Sequence, residues 1–315
     1  MDLEQTVQSL KTLGIERAVL ESGGDGAVLV MPEYGRVLGL WPHWRGENAL
    51  WINPDFVPRL GFGAKDEGWQ NPGGDRIWLG PEREFFMEDE TRPDETFFVP
   101  PALDPGAFTR VNDRSGCAME NRGQVLAWRS NTRLSFRIVR RIRPMPGPEL
   151  NEISQAPWMP QAGYEEETTL EATFDLPVRV WLWNLTQVPG LGEVRLPLLR
   201  ESSQVVPLGG AVPVRVRLTA NEVADRILWV SDRDAGRAVL VLRRFEKTDG
   251  ADPEQRAVEC RFEPALGCGE ISCVSKALGP IRRGRISWKT CLCAFTGRRD
   301  EIVALADRIS LLPCR

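Results

Sequence analysis

Short apolar runs, each closed off by glycine, proline or an acidic side chain, recur along almost the whole sequence and leave no room between them for helices. The first are "RAVLES", "GAVLVMP", "RVLGLW", "NALWIN" and "RIWLG". The pattern continues through "LSFRIVRRI", "TTLEATFDL", "VRVWLWNL", "EVRLPLL", "VPVRVRLTA", "RILWVSD", "AVLVLRRF", "AVECRFE", "EISCVSKAL" and "RISWKTCLCAF". Runs of this length, rich in Val, Ile, Leu and Trp and separated by turn formers, read as strands. A layered α/β fold needs an amphipathic helix between successive strands, and the sequence supplies none of adequate length. The expected fold is therefore all-β and antiparallel.

Helical spacing is confined to the two ends. Leu3, Val7 and Leu10 share one helical face, Asp2 and Gln5 are spaced as a capping pair, and Gly14 provides a stop, so a short helix is expected over residues 2–13. In "DEIVALADRISLL", Ile302, Leu305, Ala306 and Ile309 predict a second helical segment over about 299–312. Proline-rich stretches at 93–105 and 144–163 have strand signals on both sides, which makes them long loops rather than linkers. The expectation is one domain over residues 1–315, with its sandwich spanning about 15–296.

Charge patterning predicts one strand pairing directly. Arg133, Arg137 and Arg141 share a face of "RLSFRIVRR", while Glu165, Glu167 and Glu171 share a face of "EEETTLEATF". Opposite charges across antiparallel strands contribute only about 0.2–1 kcal/mol per pair, so they argue for register more than for stability. A basic stripe can also bind phosphate or RNA. Here the chain carries its own acidic partner stripe and a net charge of −4, so no nucleic-acid partner is expected.

Several chemistries lack their residues. The seven cysteines include Cys260, Cys268, Cys273, Cys291, Cys293 and Cys314 in the last quarter, with no C-x-x-C and one histidine in the whole chain, so no metal site is expected. Buried free thiols are the expectation instead. There is no phosphate-binding G-x-x-x-x-G-K-[ST], and "GFGAKD" puts Asp66 where a dinucleotide fingerprint needs its third glycine, so no cofactor is expected. The opening residues carry no basic segment followed by an apolar run, and no eighteen apolar residues occur in succession; no membrane partner and a cytoplasmic location are expected.

A serine or cysteine hydrolase would have to recruit the single histidine, His43, from "GLWPHWRGENALW". That residue reads either as a turn histidine satisfied by a backbone group or as a titrating site residue. The segment "GGDRIWLGPEREFF" is different, because charge flanks a short apolar centre on both sides. Arg76, Trp78 and Glu82, with Gly73 and Gly74 permitting close backbone approach, could rim a site for a hydroxyl-rich ligand. The competing reading makes Trp78 core and pairs Arg76 with Asp75 or Glu82.

The order of "AVLVMPEYGRVLGLWPHWRGENALWINP", "GGDRIWLGPE", "LSFRIVRRI", "VRVWLWNLTQVPG" and "EISCVSKALGPIRRGRISWKTCLCAF" resembles the galactose mutarotase-like, or aldose 1-epimerase-like, β-supersandwich proteins. The resemblance spans residues about 15–296 and is greatest to uncharacterised bacterial members. It implies a large antiparallel supersandwich with a carbohydrate cleft on a concave sheet. It also implies a sugar-binding arginine at Arg76 and a general base at Glu270, the late glutamate of "GEISCV". The family's acid histidine has no counterpart: "WLWNLTQV" offers Asn184, Thr186 and Gln187, which bond but do not donate protons near neutral pH. Catalytic candidates are thus Glu270 and His43, and sugar-binding candidates are Arg76, Trp78, Glu82, Asn184 and Gln187. Two functions follow: a carbohydrate-processing enzyme related to aldose 1-epimerases, or a non-catalytic carbohydrate-binding protein that has lost the acid. A scaffold in a multiprotein assembly is a third reading, and it requires an exposed apolar patch.

Overall fold

A computed structural model of the chain describes residues 2–56, 70–200, 204–208, 213–248, 255–265 and 267–313. The "GFGAKD" segment and Cys314 lie outside the described residues. The first sheet contains, in spatial order, β1 (Ala18–Ser22), β2 (Gly26–Met31), β3 (Arg36–Trp41), β4 (Asp75–Gly80), the second half of β8 (Gln161–Pro189), β15 (Cys268–Val274), β14 (Val258–Glu263) and β11 (Val214–Leu218). The second runs β5 (Thr109–Val111), β6 (Cys117–Ala127), β7 (Thr132–Pro144), the first half of β8, β16 (Leu278–Arg298), β13 (Arg237–Phe245), β12 (Arg226–Arg233), β9 (Gly192–Leu196) and β10 (Gln204–Leu208). The strand pairings among the described residues are antiparallel, so the all-β class read from the sequence is the class found.

Strand β8 joins the two sheets. Its residues from Tyr164 to Phe174 pair with β7, and those from Trp181 to Thr186 pair with β4. The sequence shows this stretch as two runs, "TTLEATFDL" and "VRVWLWNL", because the exposed Asp175, Leu176 and Pro177 interrupt the apolar pattern. The backbone nevertheless continues in strand geometry across them for 29 residues. The charge-based register is found as expected, with Arg137 opposite Glu171 and Arg141 opposite Glu167.

Helices lie outside the sheets. Among the described residues they are α1 (Leu3–Thr12), α2 (Glu82–Phe85), α3 (Pro93–Thr96), α4 (Gly147–Ser154) and α5 (Arg299–Ser310). Asp2 caps α1 by accepting the Gln5 backbone N–H at 2.8 Å. The terminal helices match the spacing in the sequence, whereas both proline-rich loops contain a helix: Pro93 and Pro148 stand in the first turns of α3 and α4, where the missing N–H costs no bond. Leu150 of α4 and Ile302, Leu305, Ala306 and Ile309 of α5 cover the outer face of β12, β13 and β16. Leu10 of α1 packs with Leu29, Met31, Leu38 and Trp41 on the outer face of β2 and β3.

Between the sheets the apolar core encloses an ionic network. Arg140 of β7 and Arg243 of β13 are completely buried, and both donate to Asp75 of β4, the first at 2.7 Å. Arg140 also donates to Glu166 at 2.8 Å, and Thr186 donates to Asp75 at 2.7 Å. Burial alone would push the Asp75 carboxyl up, but Arg243 and Arg140 outweigh it and hold the pKa below the usual range.

Removing one member of a buried pair strands the other charge, at a cost of about 3–5 kcal/mol. Asp75→Asn should therefore lower the stability to urea by about that amount. Because the folded carboxyl is more acidic than the unfolded one, the wild-type advantage should be present above the ordinary aspartate pKa of about 3.9 and fade as pH falls below it. A loss under about 1 kcal/mol at neutral pH would show that the network does not hold the sheets.

Candidate functional site

Alternation along β4 sends its side chains to two places. Asp75, Ile77 and Leu79 face the second sheet, while Arg76, Trp78 and Gly80 face the other way. Gly74 leads into the strand at φ +74°, where an added Cβ would lie 2.3 Å from the Val37 carbonyl oxygen. Only glycine permits that approach. Gly80 is equally constrained, since a Cβ there would meet Trp181 Nε1 at 1.9 Å.

The same parity on β8 puts Trp181, Trp183 and Gln187 on the Arg76 side, opposite Asn184 and Thr186. On β15 it selects Glu270 and Ser272; on β14 and β11 it selects Glu259, Arg261, Arg215 and Arg217. Pro81 and Glu82 close one side, and the result is a cleft of about 300 Å3 lined by Glu82, Trp181, Trp183, Arg217, Glu259 and Ser272, among others.

Arg76 and Glu270, 194 residues apart in sequence, meet beneath this cleft: Arg76 Nη2 donates to Glu270 Oε2 at 2.8 Å. Arg261 Nε lies 2.8 Å from the other carboxylate oxygen. Burial pushes the Glu270 carboxyl up, but Arg261 and Arg76 together hold its pKa below the usual glutamate range. Arg76 also lies over the Trp78 ring at 4.3 Å, and Trp78 Nε1 donates to Asp104 at 2.9 Å.

Glu259 and Glu82 present a different electrostatic situation. Arg215 and Arg217 each approach Glu259 to 2.7 Å, one on each oxygen. The ion-pair contact of Glu82 is Arg215 at 3.7 Å. Burial, followed by the neighbouring Glu259 charge, raises the Glu82 pKa. Burial raises the Glu259 pKa as well, against Arg217 and Arg261; of the two raised carboxyls, Glu82 is the one with no arginine closer than 3.7 Å among the described residues.

The structure thus brings Arg76, Trp78, Glu82, Gln187 and Glu270 to one face of the first sheet. Asn184 is on the opposite face, where it donates to Asp75 and Glu166 at 3.3 Å within the ionic network. His43 is elsewhere too: it lines a separate hollow with Arg233 and Arg237, and its Nδ1 accepts the Arg45 backbone N–H at 3.1 Å. Trp78 is 2% exposed and is a core residue as well as a floor to Arg76. The pairing of Arg76 with Asp75 or Glu82 weighed from sequence is replaced by the pairing with Glu270, because Asp75 points the other way. Trp181, Ser272, Glu259 and Arg217 carry no sequence motif; their signal is the odd-even alternation of "VWLWNLTQ", "GEISCV", "VECRFE" and "VRVRL".

Among the described residues no group of His, Cys, Asp and Glu is arranged to hold a metal ion, and no helix is long and apolar enough to cross a membrane. The sequence profile of a family of unknown function, DUF6786, matches residues 3–170, more than half of the chain, and the protein belongs to that family. No curated protein matches. Among solved structures, a provisionally assigned aldose 1-epimerase from Escherichia coli K12 aligns over 90% of this chain and 100% of its own at 8% identity, with a TM-score of 0.49. A galactose mutarotase-like protein from Clostridium acetobutylicum aligns over 90% and 98% at 10% identity, TM-score 0.45. A galactose mutarotase related enzyme from Lactobacillus acidophilus aligns over 90% and 99% at 10% identity, TM-score 0.43.

A raised carboxyl pKa penalises the folded state once the group must ionise. Glu82→Gln should therefore raise the melting temperature at pH 7 to 8, and the gain should vanish below the unfolded glutamate pKa of about 4.3, where both proteins are neutral at this position. Melting curves with the same difference at both pH values would contradict the raised pKa of Glu82.

Proposed function

We propose that the protein binds a carbohydrate in the cleft between Trp181, Trp183, Glu82, Glu259 and Ser272. The observation that carries this reading is the convergence of two indole rings with carboxylate, guanidinium and hydroxyl groups in one cleft. Sugar rings have an apolar side that an aromatic ring can cover and hydroxyls that charged and neutral polar groups bond. The resemblance of the sequence motifs to aldose 1-epimerase-like proteins points to the same ligand class.

Binding is the better supported half of the reading. Glu270, the residue in the place of a general base, is held ionised between Arg76 and Arg261, and a carboxylate with a lowered pKa takes up protons poorly near neutrality. Glu82 is better suited to give or accept a proton, and any proton transfer to a bound sugar is assigned to it. His43 has no part, since its hollow shares no residue with the cleft. The cleft draws on Pro81 and α2 and on β8, β11, β14 and β15. A site assembled from both halves of the chain supports the reading of residues 1–315 as one domain.

A thermal-shift screen of neutral, acidic and phosphorylated monosaccharides and of oligosaccharides tests this. A ligand at one hundred times its Kd should add about 2.7 kcal/mol to stability. Trp181→Phe should weaken that ligand by about tenfold, or about 1.4 kcal/mol, with the far-ultraviolet circular dichroism unchanged. A panel in which no sugar shifts the melting temperature, or a Trp181→Phe variant that binds as tightly as wild type, would overturn the reading.

A further inference from the structure

The charges around the cleft do not balance. Glu270 is shared by Arg76 and Arg261, and Glu259 is shared by Arg215 and Arg217. Glu82 adds one more carboxyl, within 3.7 Å of Arg215. Two further arginines, Arg83 on α2 and Arg256 just ahead of β14, line the cleft; both are exposed, and neither forms an ion pair or hydrogen bond with the described residues. Counting Asp104, 3.9 Å from Arg76 and bonded to Arg36, and Glu222, which acts on Arg256, five carboxyls stand against seven guanidiniums, in a chain whose net charge is −4.

We propose that the sugar bound in this cleft carries an anionic group, a carboxylate, phosphate or sulfate, which Arg83 and Arg256 engage. The inference rests on the carbohydrate reading and adds the ligand's charge to it. Guanidinium groups match carboxylate and phosphate oxygens with two parallel N–H donors, and they do so best where no protein carboxylate competes. Among the described residues neither Arg83 nor Arg256 has a carboxylate within ion-pair distance, although the Glu222 charge acts on Arg256 from further away, whereas Arg215 and Arg217 are already committed to Glu259. The cleft, at about 300 Å3, is at the small end of ligand pockets and suits one or two sugar units, not a polymer that needs a long groove.

Isothermal titration of the full chain with D-glucuronate, glucose 6-phosphate, glucose 6-sulfate, D-glucose and inorganic phosphate tests the inference. At least one charged sugar should bind tenfold or more tightly than glucose, and its affinity should fall with added salt. Arg83→Gln combined with Arg256→Gln should bring the affinity for that sugar to within about twofold of the same variant's affinity for glucose, since each guanidinium–anion pair is charge-assisted. Comparison of the three charged sugars identifies the anionic group. Equal binding of glucose and its charged counterparts, or a preference that survives the double substitution, overturns the anion while leaving the carbohydrate reading standing. Inorganic phosphate binding as tightly as the best sugar would mean a simple anion site, and overturns it as well. If no sugar binds, the carbohydrate reading fails and this inference fails with it.

Discussion

Two arginines buried between the sheets set the terms for the rest of the structure. Arg140 and Arg243 come from β7 and β13 of the second sheet, and the carboxylate that both bond, Asp75, comes from β4 of the first. Ion pairs of this kind are not an efficient source of stability, because desolvation consumes most of the Coulomb gain. Their effect is on geometry: any sliding of one sheet over the other pulls Asp75 away from both guanidiniums in an interior where a lost ion pair is costly. Glu166, Thr186, Asn184 and Thr290 add directed bonds to the same groups, so relative position is specified from several directions.

That constraint reaches the cleft through a single peptide link. Asp75 and Arg76 are adjacent, and strand alternation turns one toward the network and the other toward Glu270. Fixing Asp75 therefore fixes where Arg76 leaves the sheet, and with it the Arg76–Glu270–Arg261 row under the cleft. Trp78, two residues on, follows the same parity and packs its ring beneath the Arg76 guanidinium. The second half of β8 repeats the arrangement, with Asn184 and Thr186 in the network and Trp183 and Gln187 on the cleft side.

Much of this is legible in the sequence, and what was not legible has identifiable causes. The strands, the terminal helices and the Arg137–Glu171 and Arg141–Glu167 register follow from period-two and helical patterning, which are local properties. Arg76 and Glu270 could be linked only through a resemblance, since nothing local joins residues so far apart. The pairing of Asn184 with Gln187 as lining residues conflicts with parity, because an odd separation along a strand puts them on opposite faces. Arg140 is the converse case: it keeps step with Leu134, Phe136, Ile138 and Ile142, which marks it as inward-facing, yet a buried arginine is credible only when its two carboxylate partners on other strands are known. The helix over Gly147–Ser154 was hidden by its prolines, which at a first turn begin a helix instead of breaking it.

The contrast between Glu270 and Glu82 shows how one sheet face can give two carboxyls different properties. Both are withdrawn from water, and in both cases burial is the largest influence and favours the neutral form. Glu270 has a guanidinium at 2.8 Å on each side, so the balance reverses and it stays ionised. Glu82 has one at 3.7 Å and a second carboxylate nearby, so burial prevails. On the proposed reading, an anionic sugar entering between Arg83 and Arg256 would add a negative charge close to Glu82 and raise its pKa further. Ligand binding would then be accompanied by proton uptake at Glu82, whereas the Glu270 carboxylate, already neutralised by two arginines, would respond far less.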